Sequence, residues 1–195
     1  MDSVFDWRYG TDTRRWVERD KIQTESSNRV DTQPYKPTRG RPLLTLIRQL
    51  SLPRGSNFVD IGAGKGRVVM IAAQCDFAKV IGVEFSGELC RIARDNIRKY
   101  GGKKRGLAPM EIVEADATRH QFGEQDRVIF IYNPFHERVM SAFIANLKGS
   151  LDAKPRPLWL IYNDPLYDAI ISRAGIFRRQ EDHWIGGTHF RVYAT

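Results

Sequence analysis

Long apolar runs are missing from this chain of 195 residues. No stretch approaches the roughly 20 residues that cross a bilayer, and the opening MDSVFDWRYG lacks the basic start and apolar centre of a secretory signal. A cytoplasmic protein without a membrane partner is therefore expected. Cysteine is scarce as well. Cys75 and Cys90 are the two, both fall in segments patterned as helices, and neither has redox or metal-ligand spacing. Free buried thiols are expected. Of the four histidines, His120, His183 and His189 show no ligand spacing, so no metal site is expected. No repeat of solenoid period is present. With 42% hydrophobic and 28% charged residues, the chain can bury one sizeable core but not two. A net charge of +8 admits an acidic partner, since charge governs association rather than fold.

What is present is an alternation. Residues 1–40 are polar and rich in turn formers, and read as an irregular arm or partial lid. From Pro42 a short helix precedes the turn LPRGSN. After it, short apolar runs alternate with longer helix-like segments, the pattern of a parallel sheet. NFVDI, KVIGVE, MEIVEA, RVIFIY and PLWLIY are apolar almost throughout, as strands covered on both faces must be. Between Gly87 and Tyr100, Leu89, Ile92, Ala93 and Ile97 form one helical face, which Gly101-Gly102 should end. Phe135, Val139, Met140, Phe143, Ile144 and Leu147 mark another helix. The tail has two strand-like runs joined by Gly186-Gly187, so the sheet should close with an antiparallel hairpin. Trp159 and Trp184 are expected in the core.

Two stretches carry chemistry. In FVDIGAGKGRVVMIAA a strand runs into Asp60 and glycines 62, 64 and 66, then into a helix. Glycines permit a sharp turn and close approach of a ligand. Their spacing departs from the dinucleotide fingerprint, and Asp60 would repel a pyrophosphate while accepting hydrogen bonds from an ammonium group. The second stretch, IYNPF, ends the fourth strand in an amide, a ring and an aromatic. Asn caps helices and Pro favours their first position, so Asn133-Pro134 reads either as a helix start or as part of a site. IYNDPL at 161–166 echoes it. Both turns should open on the carboxyl edge of the sheet, where open α/β sheets bind ligands.

The glycine stretch resembles the first motif of the class I S-adenosylmethionine (AdoMet)-dependent methyltransferases, acid-x-Gly-x-Gly-x-Gly. The likeness extends from about Asn57 to Thr195. It implies an α/β fold with one doubly wound, mostly parallel sheet of about seven strands, residues 41–195 forming the AdoMet-binding domain behind the 1–40 arm. It also implies that Asp60, Gly62, Ala63 and Gly64 hold the cofactor's amino-acid end, Glu84 with Phe85 the ribose, and Asp116 with Ala117 the adenine. For Asp116 a helix N-cap is the competing reading.

In that family the turn after the fourth strand faces the transferred methyl, which implies catalytic roles for Tyr132, Asn133 and Phe135, with Asn133 also touching AdoMet. The turn resembles the Asn/Asp-Pro-Pro-aromatic motif of amino-group methyltransferases, but with one Pro instead of two, so a nucleic-acid acceptor is the less favoured implication. The Gly-Val-Glu strand and Asn133 also resemble the lysine methyltransferases that lack a SET domain. YKPT at 35–38 resembles an arm that closes over AdoMet, and adds Tyr35 to the cofactor contacts. The expected activity is methyl transfer to a nitrogen nucleophile on a lysine-like protein side chain or a small molecule. A nucleic-acid amino methyltransferase, a non-catalytic AdoMet-binding module and a nicotinamide-dependent oxidoreductase are the alternatives. His136 is a candidate base. The cluster Arg91, Arg94, Arg98, Lys99, Lys103, Lys104, Arg105 reads as a solvated helix face before a phosphate-binding one.

Overall fold

The fold is given by a computed structural model, which describes residues 2–14 and 37–195; Trp16 and Tyr35 lie outside them. Along the chain run α1 (Asp2–Tyr9), α2 (Gly40–Gln49), β1 (Asn57–Ile61), α3 (Arg67–Ala72), β2 (Lys79–Glu84), α4 (Gly87–Lys103), β3 (Met110–Glu114) and β4 (Asp126–Ile131). Then come α5 (Glu137–Ala153), β5 (Trp159–Asn163), α6 (Asp168–Arg173), β6 (Arg179–Ile185) and β7 (Thr188–Ala194). The strands form one sheet in the order β3-β2-β1-β4-β5-β7-β6. The first five are mutually parallel, and β7 runs antiparallel to both β5 and β6. This is the expected class I methyltransferase architecture. Chain order reverses between β1 and β4, which opens a crevice at the carboxyl ends of those strands. No helix among the described residues is long and apolar enough to cross a membrane.

Each central strand is apolar on both faces because each face is covered. Phe58, Val80, Phe130 and Ile161 pack toward α2, α3 and α4 through Leu43, Leu46, Val69 and Ala93. Val59, Ile61, Ile131 and Leu160 pack toward α5 through Met140, Phe143 and Leu147. Gly82 makes the first layer close. A β-carbon there would lie 2.7 Å from Ile112 Cδ1 and 2.8 Å from both Ala63 Cβ and Val69 Cγ2. The glycine loop and α3 therefore rest directly on β2.

Several expectations need correction. Residues 2–9 are helical, not irregular: Phe5 stacks on the fully buried Tyr100 of α4 and Tyr9 meets it edge-on, with ring centroids 5.5 and 4.6 Å away. The same anchoring carries α4 through Gly101-Gly102 to Lys103, because fixing its last turn outweighs the weak helix propensity of two glycines. Between β3 and β4 the chain makes a turn at residues 117–119 and no helix. Trp184 is not in the core. It is 71% exposed on the edge strand β6, where its ring stacks on His189. Cys90 is buried in α4, but Cys75 sits half-buried in the turn after α3.

The two kinds of glycine should behave oppositely. Gly82→Ala overpacks a closed layer and is expected to cost about 1–3 kcal/mol. At Gly101 a β-carbon meets nothing within 4 Å, so Gly101→Ala should gain about 0.4–1 kcal/mol. Urea unfolding midpoints of the two variants check both signs.

Candidate functional site

The site begins where β1 stops. Gly62 takes φ 77°, a left-handed conformation that other residues resist, and the N–H groups of Gly62 and Ala63 both donate to the Val83 carbonyl at 2.9 and 3.1 Å. Glu84, buried at the end of β2, holds the loop from below. Its Oε2 accepts from Gly64 N and its Oε1 from Ser86 N, each at 2.9 Å. Burial pushes its carboxyl up, against the opposing pull of those backbone N–H groups. Asp60, 3% exposed, has no such partners: its Oδ2 is buried without a hydrogen bond. Burial first, and the Glu84 charge second, raise its carboxyl well above the usual range. Two buried acids thus stand at the carboxyl ends of adjacent strands.

The far side of the loop is clamped by the N-terminal segment. Lys65 Nζ bonds Asp12 Oδ2 at 2.9 Å, and Arg67 donates to the Thr38 carbonyl and to Thr13 Oγ1 at 2.9 and 2.7 Å. Asn96 of α4 ties both parts together by donating to the carbonyls of Asp12 and Lys65.

Beyond β2 and β3 lies a small cavity lined by Gly62, Val83, Phe85, Ala115, Asp116, Ala117, Phe135 and Val139. Four of the expected cofactor residues, Gly62, Phe85, Asp116 and Ala117, therefore share one wall system. Phe135 joins them, 5% exposed, its ring 6.0 Å from Phe143. Asp116 Oδ1 accepts from Thr118 N and Oγ1 at 2.9 and 2.7 Å. It caps a turn, so the helix N-cap reading falls with the missing helix.

The turn after β4 does not start a helix either. Asn133 adopts φ 41°, and α5 begins at Glu137 with His136 at its N-cap. The Asn133 amide is fixed at both ends: Nδ2 donates to the Asp164 carbonyl at 2.7 Å, and Oδ1 accepts from the Tyr162 hydroxyl at 2.5 Å. Tyr167 N in turn donates to that hydroxyl at 3.2 Å. Burial raises the Tyr162 hydroxyl, so it remains a donor. Asp164, at φ 54°, is the other non-glycine described in a left-handed conformation, so the echo between IYNPF and IYNDPL marks two matched turns tied to each other. Sequence reading passed over Tyr162 and Asp164, and that echo was the signal. Pro134 closes the arrangement. A β-carbon at Gly62 would lie 2.4 Å from Pro134 Cβ, so the two turns touch. His136 Nδ1 lies 3.5 Å from the Tyr167 hydroxyl.

The basic cluster lies elsewhere. Helix α4 runs away from the carboxyl edge, and on its exposed face Arg98 and Lys99 pair with Asp95 at 2.5 and 2.6 Å. It is a solvated helix face.

The methyltransferase-domain family model matches residues 58–153, from β1 through α5. No curated protein sequence matches the chain. Solved structures share its fold. An RNA methyltransferase from Salinibacter ruber, determined with S-adenosyl-L-homocysteine, superposes with TM-score 0.56 at 20% identity, covering 81% of this chain and 92% of that one. A SAM-dependent methyltransferase from Aquifex aeolicus gives 0.59 at 19% identity, covering 91% and 98%. TrmN from Thermus thermophilus gives 0.56 at 20% identity over 80% of this chain and 47% of its own, so this chain spans about half that protein's length. The match falls on the strand, glycine loop and acidic strand ends just described, so residues 58–153 form a methyltransferase domain, on a fold shared with AdoMet-dependent methyltransferases.

Proposed function

We propose that the chain transfers a methyl group from AdoMet to a nitrogen nucleophile, on a small molecule or on a lysine-like protein side chain. The observation that carries this reading is the Asn133 amide, held between Tyr162 and Asp164 in a turn that abuts Gly62. AdoMet, when bound, supplies the electrophilic methyl carbon. In-line displacement asks of the protein mainly that a desolvated nucleophile be held on the axis of the breaking bond. An amide oxygen and nearby carbonyls can accept amine hydrogens and so aim the lone pair, while the ring of Tyr132 tolerates the positive charge that develops. Tyr162 acts through Asn133: by occupying one lone pair of Oδ1 and fixing the amide plane, it leaves the second lone pair in one direction.

The residues fit the cofactor. Asp60 Oδ2, buried and unbonded, suits an ammonium group, which would restore its charge. Glu84 accepts from the backbone of Gly64, Ser86 and Phe85, and a carboxylate has about four acceptor sites, so a ribose hydroxyl can add to it. Phe85, Ala117 and Phe135 offer apolar walls for a flat heterocycle, with Asp116 at the rim. We assign Phe135 to that wall and leave Asn133 and Tyr132 at the acceptor. Ala63 and Gly64 line the loop beneath.

A nucleic-acid amino group is the second reading, favoured by the exposed Trp184, whose ring stacks on His189 at 4.3 Å and 3° beside the hairpin turn at the same sheet edge. Saturable quenching of tryptophan fluorescence by single-stranded RNA, abolished in Trp184→Ala, would move the assignment there; no quenching keeps the acceptor a protein or small molecule.

Asp60 makes a pH-dependent prediction. Its folded carboxyl titrates above the unfolded one, so between those two pH values the folded state binds more protons and stability falls as pH rises. Asp60→Asn should reduce that fall to the part due to Glu84, whose carboxyl is also raised, melt higher than wild type at neutral pH without cofactor, and bind AdoMet at least about 10-fold more weakly. Melting curves from pH 4 to 8 and calorimetric titration read the two effects.

For Asn133→Ala, AdoMet affinity is expected to stay within about 3-fold while turnover falls about 100-fold. Sinefungin, which carries an amine where AdoMet carries its methyl, gives a readout that needs no acceptor. Wild type should prefer it over S-adenosylhomocysteine, and Asn133→Ala should not. An undiminished preference in the variant would remove Asn133 from the acceptor site.

A further inference from the structure

Asp60 is not the only buried oxygen left without a partner at the carboxyl edge. Asn163, the last residue of β5, is 2% exposed and its Oδ1 finds no hydrogen bond; Thr188, which opens β7, is 9% exposed and its Oγ1 finds none. Leaving such atoms unpaired is costly, and native structures rarely do so without a reason. Three unpaired oxygens on one sheet edge call for a common one.

The register shows how they lie. Ile61 pairs with Ile131 and Ile131 with Tyr162, so one residue further on Gly62, Tyr132 and Asn163 form a transverse row, which Phe190 extends through its pairing with Asn163. Alternation of side chains along a strand puts Asn163 on the same face as Trp159 and Ile161, and Thr188 on the same face as Phe190 and Val192. That is the face of Phe58, hence of Asp60, and Tyr132 packs against it as well. Asp60, Tyr132, Asn163 and Thr188 therefore occupy one face along four adjacent strands, with Asn163 two strands across and two residues along, or about 12 Å, from Asp60.

We infer that Asn163, with Thr188 beside it, is a second polar anchor of the acceptor subsite, taking a hydrogen bond from an N–H or ammonium group that the acceptor carries in addition to the nitrogen being methylated. The inference rests on the methyl-transfer reading above and deepens it by naming the class of acceptor. With the cofactor's ammonium against Asp60 on β1 and the reacting nitrogen over the Tyr132–Asn133 turn of β4, one further strand spacing, about 5 Å, separates the reacting atom from Asn163. Asn163 Oδ1 is an acceptor and Thr188 Oγ1 serves as one. The complementary group is a donor on a short arm, as in a diamine, an amidine or an amino-substituted heterocycle. A monofunctional amine would leave both oxygens unpaired.

The test uses two AdoMet analogues in which nitrogen replaces the sulfonium, one carrying a 3-aminopropyl arm and one a propyl arm. Wild type should bind the aminopropyl analogue at least about 10-fold more tightly, the size expected for a hydrogen bond from a charged donor to a buried acceptor. Asn163→Leu should erase that preference while S-adenosylhomocysteine and the propyl analogue keep their affinities within about 2-fold. Its melting temperature should hold or rise, because an orphaned polar atom is replaced by an apolar group of similar size. Thr188→Val should reduce the preference in part, and keeps the question answerable if Asn163→Leu does not fold. Equal affinities of wild type for the two arms, or a preference that survives in both variants, would overturn the inference. Failure of wild type to bind S-adenosylhomocysteine at all would overturn instead the cofactor assignments on which it rests.

Discussion

Gly62 and Pro134 approach so closely that no β-carbon fits between them, and the geometry of the whole edge follows from that contact. Gly62 begins the loop that leaves β1, and Pro134 lies in the turn that leaves β4. These strands are neighbours at the place where chain order reverses. Pressing the two turns together separates two sides of the edge: toward β2 and β3, Phe85, Asp116 and Phe135 line a cavity, and toward β5 and β7, Asn163 and Thr188 keep buried, unbonded oxygens. A cofactor and an acceptor on opposite sides of a single contact have their reacting atoms directed to the same place. Any side chain at 62 would separate the turns and enlarge the distance over which the methyl must pass.

The contact is only as firm as what holds each turn. On the β1 side, Val83 and Glu84 accept from successive backbone N–H groups of the loop, while Asp12, Thr13 and Thr38 hold the Lys65 and Arg67 side chains that flank it. On the β4 side, the Asn133 amide is bound at one end to Tyr162 of β5 and at the other to Asp164 in the turn that follows it. Backbone conformations with positive φ at Asn133 and Asp164 cost energy for residues with side chains. Asn and Asp bear that cost more easily than other residues, and a cross-link between the two turns keeps each from relaxing. Rigid support of this kind is what positioning catalysis requires, since a displacement of about 1 Å can cost 100-fold in rate.

Much of this was legible from sequence because it follows from local rules. Apolar runs of five or six residues separated by helix-like segments gave the parallel strands, and the spacing of glycines after Asp60 separated an amino-acid-bearing cofactor from a dinucleotide. Gly186-Gly187 marked the hairpin. Illegible features depended on contacts distant in sequence. That α4 would run past two glycines rests on Tyr100 lying between Phe5 and Tyr9, some ninety residues away. Trp184, apolar by composition, is exposed because β6 is the sheet edge and its ring stacks on His189 instead. Asn133 looks like a helix cap in sequence. What makes it something else is Tyr162, on the neighbouring strand.

The unpaired atoms give the remaining argument. A buried carboxylate without a partner titrates upward and weakens the fold at neutral pH, and buried amide and hydroxyl oxygens without hydrogen bonds weaken it further. Sequences drift away from such arrangements where stability alone matters, since a Leu or Val in the same space would be favoured. Asp60, Asn163 and Thr188 bear such costs together on one face of one sheet edge, while the opposite layer around Ile61, Ile131 and Leu160 is apolar. An edge made less stable in that one direction is an edge shaped for a ligand that restores what is missing. Asp60 calls for a cation at one end of the crevice, and Asn163 with Thr188 calls for a donor at the other. The donor that answers them lies on the acceptor's side of the Gly62–Pro134 contact, so the edge selects its acceptor by what that molecule carries beyond the atom it methylates.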